Sequence, residues 1–192
     1  FQDESDRKEF LSILAQSLDT YGVRLHSFVL MTNHWHLLVQ TPLGNLGEFM
    51  RHFNITYTSY YNRRHNRIGH LYQGRYKSFL VEADSYLSKV SRYIHLNPVK
   101  VEGMKKMMFD SQLRYLWNYR WSSLPGYIGL AVRYDFVEHA AVLAEYGGDT
   151  RNARQQYKKQ IAEDLSTGVA IKDQIVGQSI LGSAGFVSWV KE

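Results

Sequence analysis

The chain has 192 residues, no cysteine and a formal net charge of +5 at pH 7. That length accommodates one domain with a proper core, alone or with a small appendage. The lack of thiols excludes disulfides and thiolate metal sites and suits a reducing, cytoplasmic compartment. No run approaches the eighteen or so apolar residues of a membrane span, so no membrane partner is expected. The opening residues, FQDESDRKEF, are acidic and polar, unlike a signal peptide. They lead into a helix without an initiating Met, so the front of a longer protein is expected before Phe1.

Within DRKEFLSILAQSLDTYG, the residues Phe10, Ile13, Leu14 and Leu18 have helical spacing, with Gly22 as the stop. VRLHSFVL reads as a strand, MTN as a short turn and HWHLLVQT as a returning strand before Pro42. NLGEFMRHFNITYTSYYNRRH is a second helix with Asn45 as its N-cap. NRIGHLYQGR is a loop, and YKSFLVE alternates as a third strand. Asp84 caps a helix through SYLSKVSRYIHLN, which ends before Pro98. The order α-β-β-α-β-α implies an α+β layer, with helices packed on the faces of an antiparallel sheet.

After Val101 the pattern softens. MKKMMFDSQLRYLWNYRWSSLPGYIG is aromatic and is expected to pack on the first domain. DFVEHAAVLAEYG and TRNARQQYKKQIAEDLSTG read as two helices joined by a Gly-Gly-Asp turn, and GQSILGSAGFVSWVKE as the start of another small helical unit. The expected division is a domain over residues 1–130 and a mainly helical extension of unassigned role over 131–192.

Charge is distributed unevenly. From Arg51 to Lys77 the chain holds Arg51, Arg63, Arg64, Arg67, Arg75 and Lys77, and no acid. Tyr57, Tyr60, Tyr61, Tyr72 and Tyr76 lie among them. Arginine for phosphates beside flat rings for bases suits single-stranded nucleic acid. A solvated basic helix face over core tyrosines would read the same way.

MTNHWHLLVQ carries a second signal. Side chains two apart on a strand share a face, roughly 6–7 Å from each other along the chain. His34 and His36 therefore share a face with Leu38, while Trp35, Leu37 and Val39 point the other way. Two imidazoles at that spacing can converge on Zn, Mn or Fe, and less willingly on Mg. A third ligand must come from elsewhere, and SRYIHLNP offers Tyr93 and Asn97, four apart on one helical face. An Asn carbonyl could complete a metal site with the phenol beside it. A packed aromatic and a helix-ending Asn fit the same spacing, and the residues alone leave both readings open.

Four ordered blocks, MTNHWHLLV, GHLYQGRYKSFLVE, YLSKVSRYIHLNPVK and YRWSSLPGYIG, resemble the single-tyrosine HUH transposases, in their IS200-like and REP-associated branch. The resemblance runs over roughly residues 5 to 130. It implies a ferredoxin-like palm, and a first strand that these residues do not supply. Thr32 stands where many relatives have proline. By match, His34, His36 and Asn97 hold a divalent metal, Mg or Mn, and Tyr93 is the nucleophile. Tyr86, earlier on the same helix, is the competing phenol. The implied chemistry is attack on a DNA phosphate, a 5′-phosphotyrosine link and a freed 3′-hydroxyl, with a second strand reversing the step. The implied partner is single-stranded DNA beside short hairpins, with cleavage within one chain or across a homodimer. Arg63, Arg64, Arg67, His70, Gln73, Arg75 and Lys77 are the candidate DNA contacts. Two rivals follow from the same residues: a hairpin DNA- or RNA-binding derivative that no longer cuts, and a metal-dependent phosphodiesterase that uses water.

Overall fold

A computed structural model describes residues 1–168, 171–177 and 179–192. In chain order it contains α1 (Glu4–Tyr21), β1 (Arg24–Leu30), β2 (Trp35–Gln40), α2 (Leu46–Arg64), β3 (Leu80–Val81) and α3 (Ala83–His95). There follow α4 (Glu102–Lys105), α5 (Phe109–Trp117), α6 (Leu124–Tyr127), α7 (Ala140–Leu143), α8 (Arg151–Thr167), β4 (Ile175–Val176), β5 (Ile180–Leu181) and α9 (Ala184–Lys191). The fold is α+β. Among the described residues, no helix is long and apolar enough to cross a membrane.

The chain divides into two compact units, residues 1–25 with 39–77, and residues 26–38 with 78–192. In the first, α1 and α2 share an aromatic core. Phe10 meets Phe53 edge-on at 4.9 Å and Tyr57 at 5.0 Å. Gly22 ends α1 in the left-handed conformation (φ 61°), which glycine adopts without Cβ strain. Asp3 caps α1 by accepting from the Asp6 amide at 3.0 Å. Asn45 occupies the N-cap position of α2, as expected, but makes no side-chain cap bond; its amide donates to the Tyr21 carbonyl at 2.8 Å.

The second unit is built around α3. β1 and β2 are neighbours across a four-residue connection, short enough only for antiparallel pairing. The other edge of β1 is taken by the YRWSS segment. Leu30 N donates to the Trp121 carbonyl at 2.8 Å, and Ser123 N to the Phe28 carbonyl at 3.1 Å. Phe28, Leu116, Leu124, Tyr127 and Tyr157 are fully buried, so the aromatic stretch and α8 share the core with β1.

Three expectations need correction. YKSFLVE forms a strand only at Leu80–Val81, and its partner is β5, in parallel register with Ile180 and Leu181, rather than the β1–β2 hairpin. β5 also pairs antiparallel with β4. The cap of α3 is Glu82, with Asp84 inside the first turn. Glu82 accepts from the Ser183 amide at 2.7 Å and the Ser183 hydroxyl at 2.9 Å. α3 ends at His95, before Pro98 as expected, and the chain then continues as a 3-10 turn over Asn97–Val99, because a proline near the start of a turn loses no needed N–H. Finally, DFVEHAAVLAEYG yields one helical turn at Ala140–Leu143 and a 3-10 turn at Ala144–Tyr146, closed by Gly147 at φ 91°.

Candidate active site

β2 begins at Trp35, so His34 sits on the turn and His36 on the strand. Met31 N donates to the His34 carbonyl at 2.8 Å, which closes the turn. The two imidazoles lie edge to face with centroids 5.1 Å apart. His34 is exposed, and His36 is half-buried with Nε2 shielded from solvent. His34 Nδ1 lies 2.8 Å from Asn33 Oδ1. With a carbonyl oxygen as acceptor, the neutral ring carries its proton on Nδ1 and presents a lone pair at Nε2. That is the form in which imidazole ligates a metal.

Leu38 shares the His36 face of β2 by strand alternation. It is buried in a cluster with Val29, Met31 and Ile94, against which Leu87, Val90, Tyr93 and Tyr119 pack. The histidine face of β2 is thus the one turned toward α3. Tyr93 belongs to that packing, while Tyr86 is no part of the same cluster.

Along α3 and the turn after it, burial follows a stripe. From Ser91 to Lys100, Tyr93, Asn97 and Lys100 are half-buried and every other residue is buried. Spacings of four and three put these three on one helical face. Asn97 Nδ2 donates to the carbonyls of Tyr93 at 3.0 Å and Ile94 at 3.1 Å. Those two acceptors assign the NH₂ to the helix end and leave the carbonyl oxygen available as a ligand. Lys100 Nζ lies 3.6 Å from the centroid of the Tyr93 ring.

The opposite face of α3 is buried and polar. Ser91 Oγ lies 2.5 Å from Ser27 Oγ and 2.7 Å from Tyr157 Oη. Tyr157 Oη meets His95 Nδ1 at 2.8 Å, and His95 Nε2 meets Ser123 Oγ at 2.8 Å. Arg92 donates to Asp164 at 2.5 Å, to Ser88 at 2.8 Å and to Tyr146 at 2.6 Å. Complete burial, with a smaller contribution from His139, pushes the His95 imidazole down to about 3, so it is neutral at pH 7. Each member of this network is bonded, the condition under which buried polar groups fix a helix rather than destabilise it. The network joins α3 to β1, α8 and the Ser123 turn, and so sets how α3 presents the Tyr93 stripe.

The candidate DNA contacts fall in the first unit. Arg63 and Arg64 end α2; Arg67, His70, Gln73, Arg75 and Lys77 lie on the irregular segment after it, and all seven are exposed. Arg64 has an internal task. It forms two bonds to Asp3, at 2.9 and 2.6 Å, and another to the buried Asp6. Its guanidinium, with the Asp6 amide, holds the Asp3 carboxyl well below the usual carboxylate range. Burial alone would raise Asp6, but bonds from His65, the Gln2 amide and Arg64 outweigh it and keep Asp6 low. Arg67 stands over the Tyr61 ring at 5.7 Å.

Two features went unseen in the sequence. Lys100 had a signal there, its position seven residues after Tyr93, but its ring contact needed coordinates. The polar backing of α3 had none beyond Ser88, Ser91 and His95 at spacings of three and four.

Among the described residues, no group of three or more His, Cys, Asp or Glu side chains is placed to hold a metal. The donors here are of another kind, two imidazoles and a carboxamide. Donors of this kind take a divalent cation: the two rings adjoin, His34 in the tautomer that donates to Asn33 would present Nε2, and the NH₂ of Asn97 is tied to its own helix end.

The chain matches the family profile described as "Transposase IS200 like" over residues 1–97. No curated protein and no solved structure is significantly similar. The matched stretch is half of the chain and contains His34, His36, Tyr93 and Asn97. The chain belongs to the IS200-like transposase family, whose members act on DNA.

Proposed function

We propose that this chain cleaves and rejoins single-stranded DNA beside hairpins, with Tyr93 as the nucleophile. The observation that carries this reading is the packing of Tyr93 in the cluster that also buries Leu38, on the histidine face of β2. His34, His36 and Asn97 would hold Mg or Mn, which when bound supplies Lewis-acid polarisation of the scissile phosphate. Tyr93 Oη forms a bond to phosphorus. The P–O3′ bond breaks, the 3′-oxygen leaves with the electron pair, and the phenolic proton is balanced by protonation of that oxygen. The products are a 5′-phosphotyrosine and a free 3′-hydroxyl. In the reverse step a 3′-hydroxyl from a second strand displaces the tyrosine. Because the phosphotyrosine link conserves the bond energy, no nucleotide cofactor is needed.

The remaining residues orient and attract. Asn97, tied to the end of α3, sits one turn from the nucleophile, and the network behind α3 holds both in place. Arg63, Arg67, His70, Gln73, Arg75 and Lys77 present an exposed basic surface for the phosphate backbone, with tyrosines nearby for bases. The test is to incubate the protein with hairpin-bearing single-stranded DNA and Mn, then separate products under denaturing conditions. A covalent protein–DNA adduct that disappears in Tyr93→Phe supports the reading. Cleaved DNA carrying no protein would point to water as nucleophile, and tight, EDTA-indifferent binding without any product to a non-cutting derivative.

A further inference from the structure

Lys100 lies beyond the residues matched by the family profile. It stands seven residues after Tyr93 and three after Asn97, on the same half-buried stripe. Its ammonium rests on the face of the Tyr93 ring at 3.6 Å from the centroid, and Nζ is shielded from solvent. The 3-10 turn over Asn97–Val99 makes this possible. A tighter winding than the α-helix alters the direction of the following side chain, and the Lys100 amide is held by the Asn97 carbonyl at 3.0 Å.

We propose that Lys100 is a positioning residue for the nucleophile. It holds the Tyr93 ring in its attacking orientation and attracts the extra electron density that the ring carries in the transition states of cleavage and rejoining. The inference rests on the reading of Tyr93 as the nucleophile. Its physical basis is the ring quadrupole. A cation on an aromatic face is attracted more strongly as electron density on the ring rises, and more strongly still when shielded from water. During attack the phenolic proton departs while the oxygen forms its bond to phosphorus. During rejoining the P–O(Tyr93) bond breaks and the tyrosine oxygen leaves with the electron pair, then regains a proton. In both directions the ring is richer in electrons near the transition state than in the neutral phenol. The contact is therefore stronger there than in the resting state, the condition for raising a rate rather than only tightening binding. Ring placement adds to this, since a phenol that rotates away from the phosphorus loses its effective concentration.

The experiment measures single-turnover adduct formation, and rejoining from the purified adduct, at saturating hairpin-bearing DNA with Mn. It compares wild type, Lys100→Met, Lys100→Gln, Lys100→Arg and Tyr93→Phe. The neutral variants are expected to slow both steps by about tenfold, with DNA affinity and melting temperature unchanged. Lys100→Arg, which keeps a cation over the ring, is expected to recover most of the rate. Wild-type rates in both neutral variants, with Tyr93→Phe inactive, would overturn the proposal alone. So would rate losses that track equal losses of stability or DNA affinity and are not rescued by arginine. Failure of the wild type to form an adduct, or an adduct that persists in Tyr93→Phe, would instead remove the reading beneath it.

Discussion

α3 and the segment over residues 65–79 are held by the chain in contrasting ways. α3 keeps Ser88, Ser91, Arg92 and His95 buried and bonded on one side, and Tyr93 packed in an apolar cluster on the other. The 65–79 segment has no helix or strand, and its cations are exposed. The contrast teaches what each task demands. A nucleophile must meet one phosphorus atom along one line, which calls for a side chain locked by packing and by a supporting shell. Attraction to a phosphate backbone needs positive charge and reach, and exposed arginines supply both. Arg64 shows the limit of the second category. Its side chain clamps the end of α2 to Asp3 and Asp6, and its charge is already answered.

The largest effect that would sharpen this contrast comes from the proposed metal donors. His36→Ala should lower adduct formation by more than the roughly 10- to 100-fold typical of losing an outer-shell partner. Asn33→Ala, which removes such a partner from His34, should fall within that range and be partly recovered at higher Mn. Equal activity in both variants would detach the histidines from the chemistry. His95→Leu comes next. It leaves the Tyr157 and Ser123 hydroxyls without their buried partner and should cost about 2–5 kcal/mol in denaturant unfolding. The sign with pH is fixed by the same residue. The folded His95 value, about 3, lies below its ordinary 6.5, so the unfolded chain takes up the proton first. Stability should be full above about pH 6.5 and be lost as pH falls toward 3, by about 2 kcal/mol between pH 7 and pH 5 from this group. His139, pushed down to about 4 by burial, adds loss of the same sign. A stability that rises on acidification would contradict the buried neutral network.

Smaller effects separate the arginines. Arg67→Ala and Arg75→Ala should weaken DNA binding and lower the salt slope by about one each, with unchanged melting temperature. Arg64→Ala should do the reverse, lowering the melting temperature while changing the salt slope little. An Arg64 variant with intact stability and a reduced slope would move that residue into the DNA-facing group.

The candidate site residues could be picked out in the sequence because their spacings are local. His34 and His36 are two apart, at the turn into β2 and on it, and Tyr93 and Asn97 are four apart, on α3 and the turn that continues it. Helices α1, α2, α3 and α8 and strands β1 and β2 were legible for the same reason, as each carries its own periodicity. What escaped depends on partners distant in the chain. YKSFLVE alternates like a full strand, yet only Leu80 and Val81 pair, with Ile180 and Leu181 about a hundred residues on. Pairing across such separation leaves no local pattern. His95 and Tyr157 read as unremarkable polar and aromatic residues until the hydrogen bond between them is known. Lys100 sits at a legible spacing, but its ammonium contact with the ring shows only in the structure.

The most direct measurement is mass spectrometry of the peptide that carries the DNA after a reaction with hairpin-bearing single strands and Mn. The account predicts a nucleotide phosphate on Tyr93, attached through the 5′ end of the cleaved strand, and none in Tyr93→Phe. A phosphate on Tyr86 or another residue, or cleaved strands with no attached peptide, would contradict it.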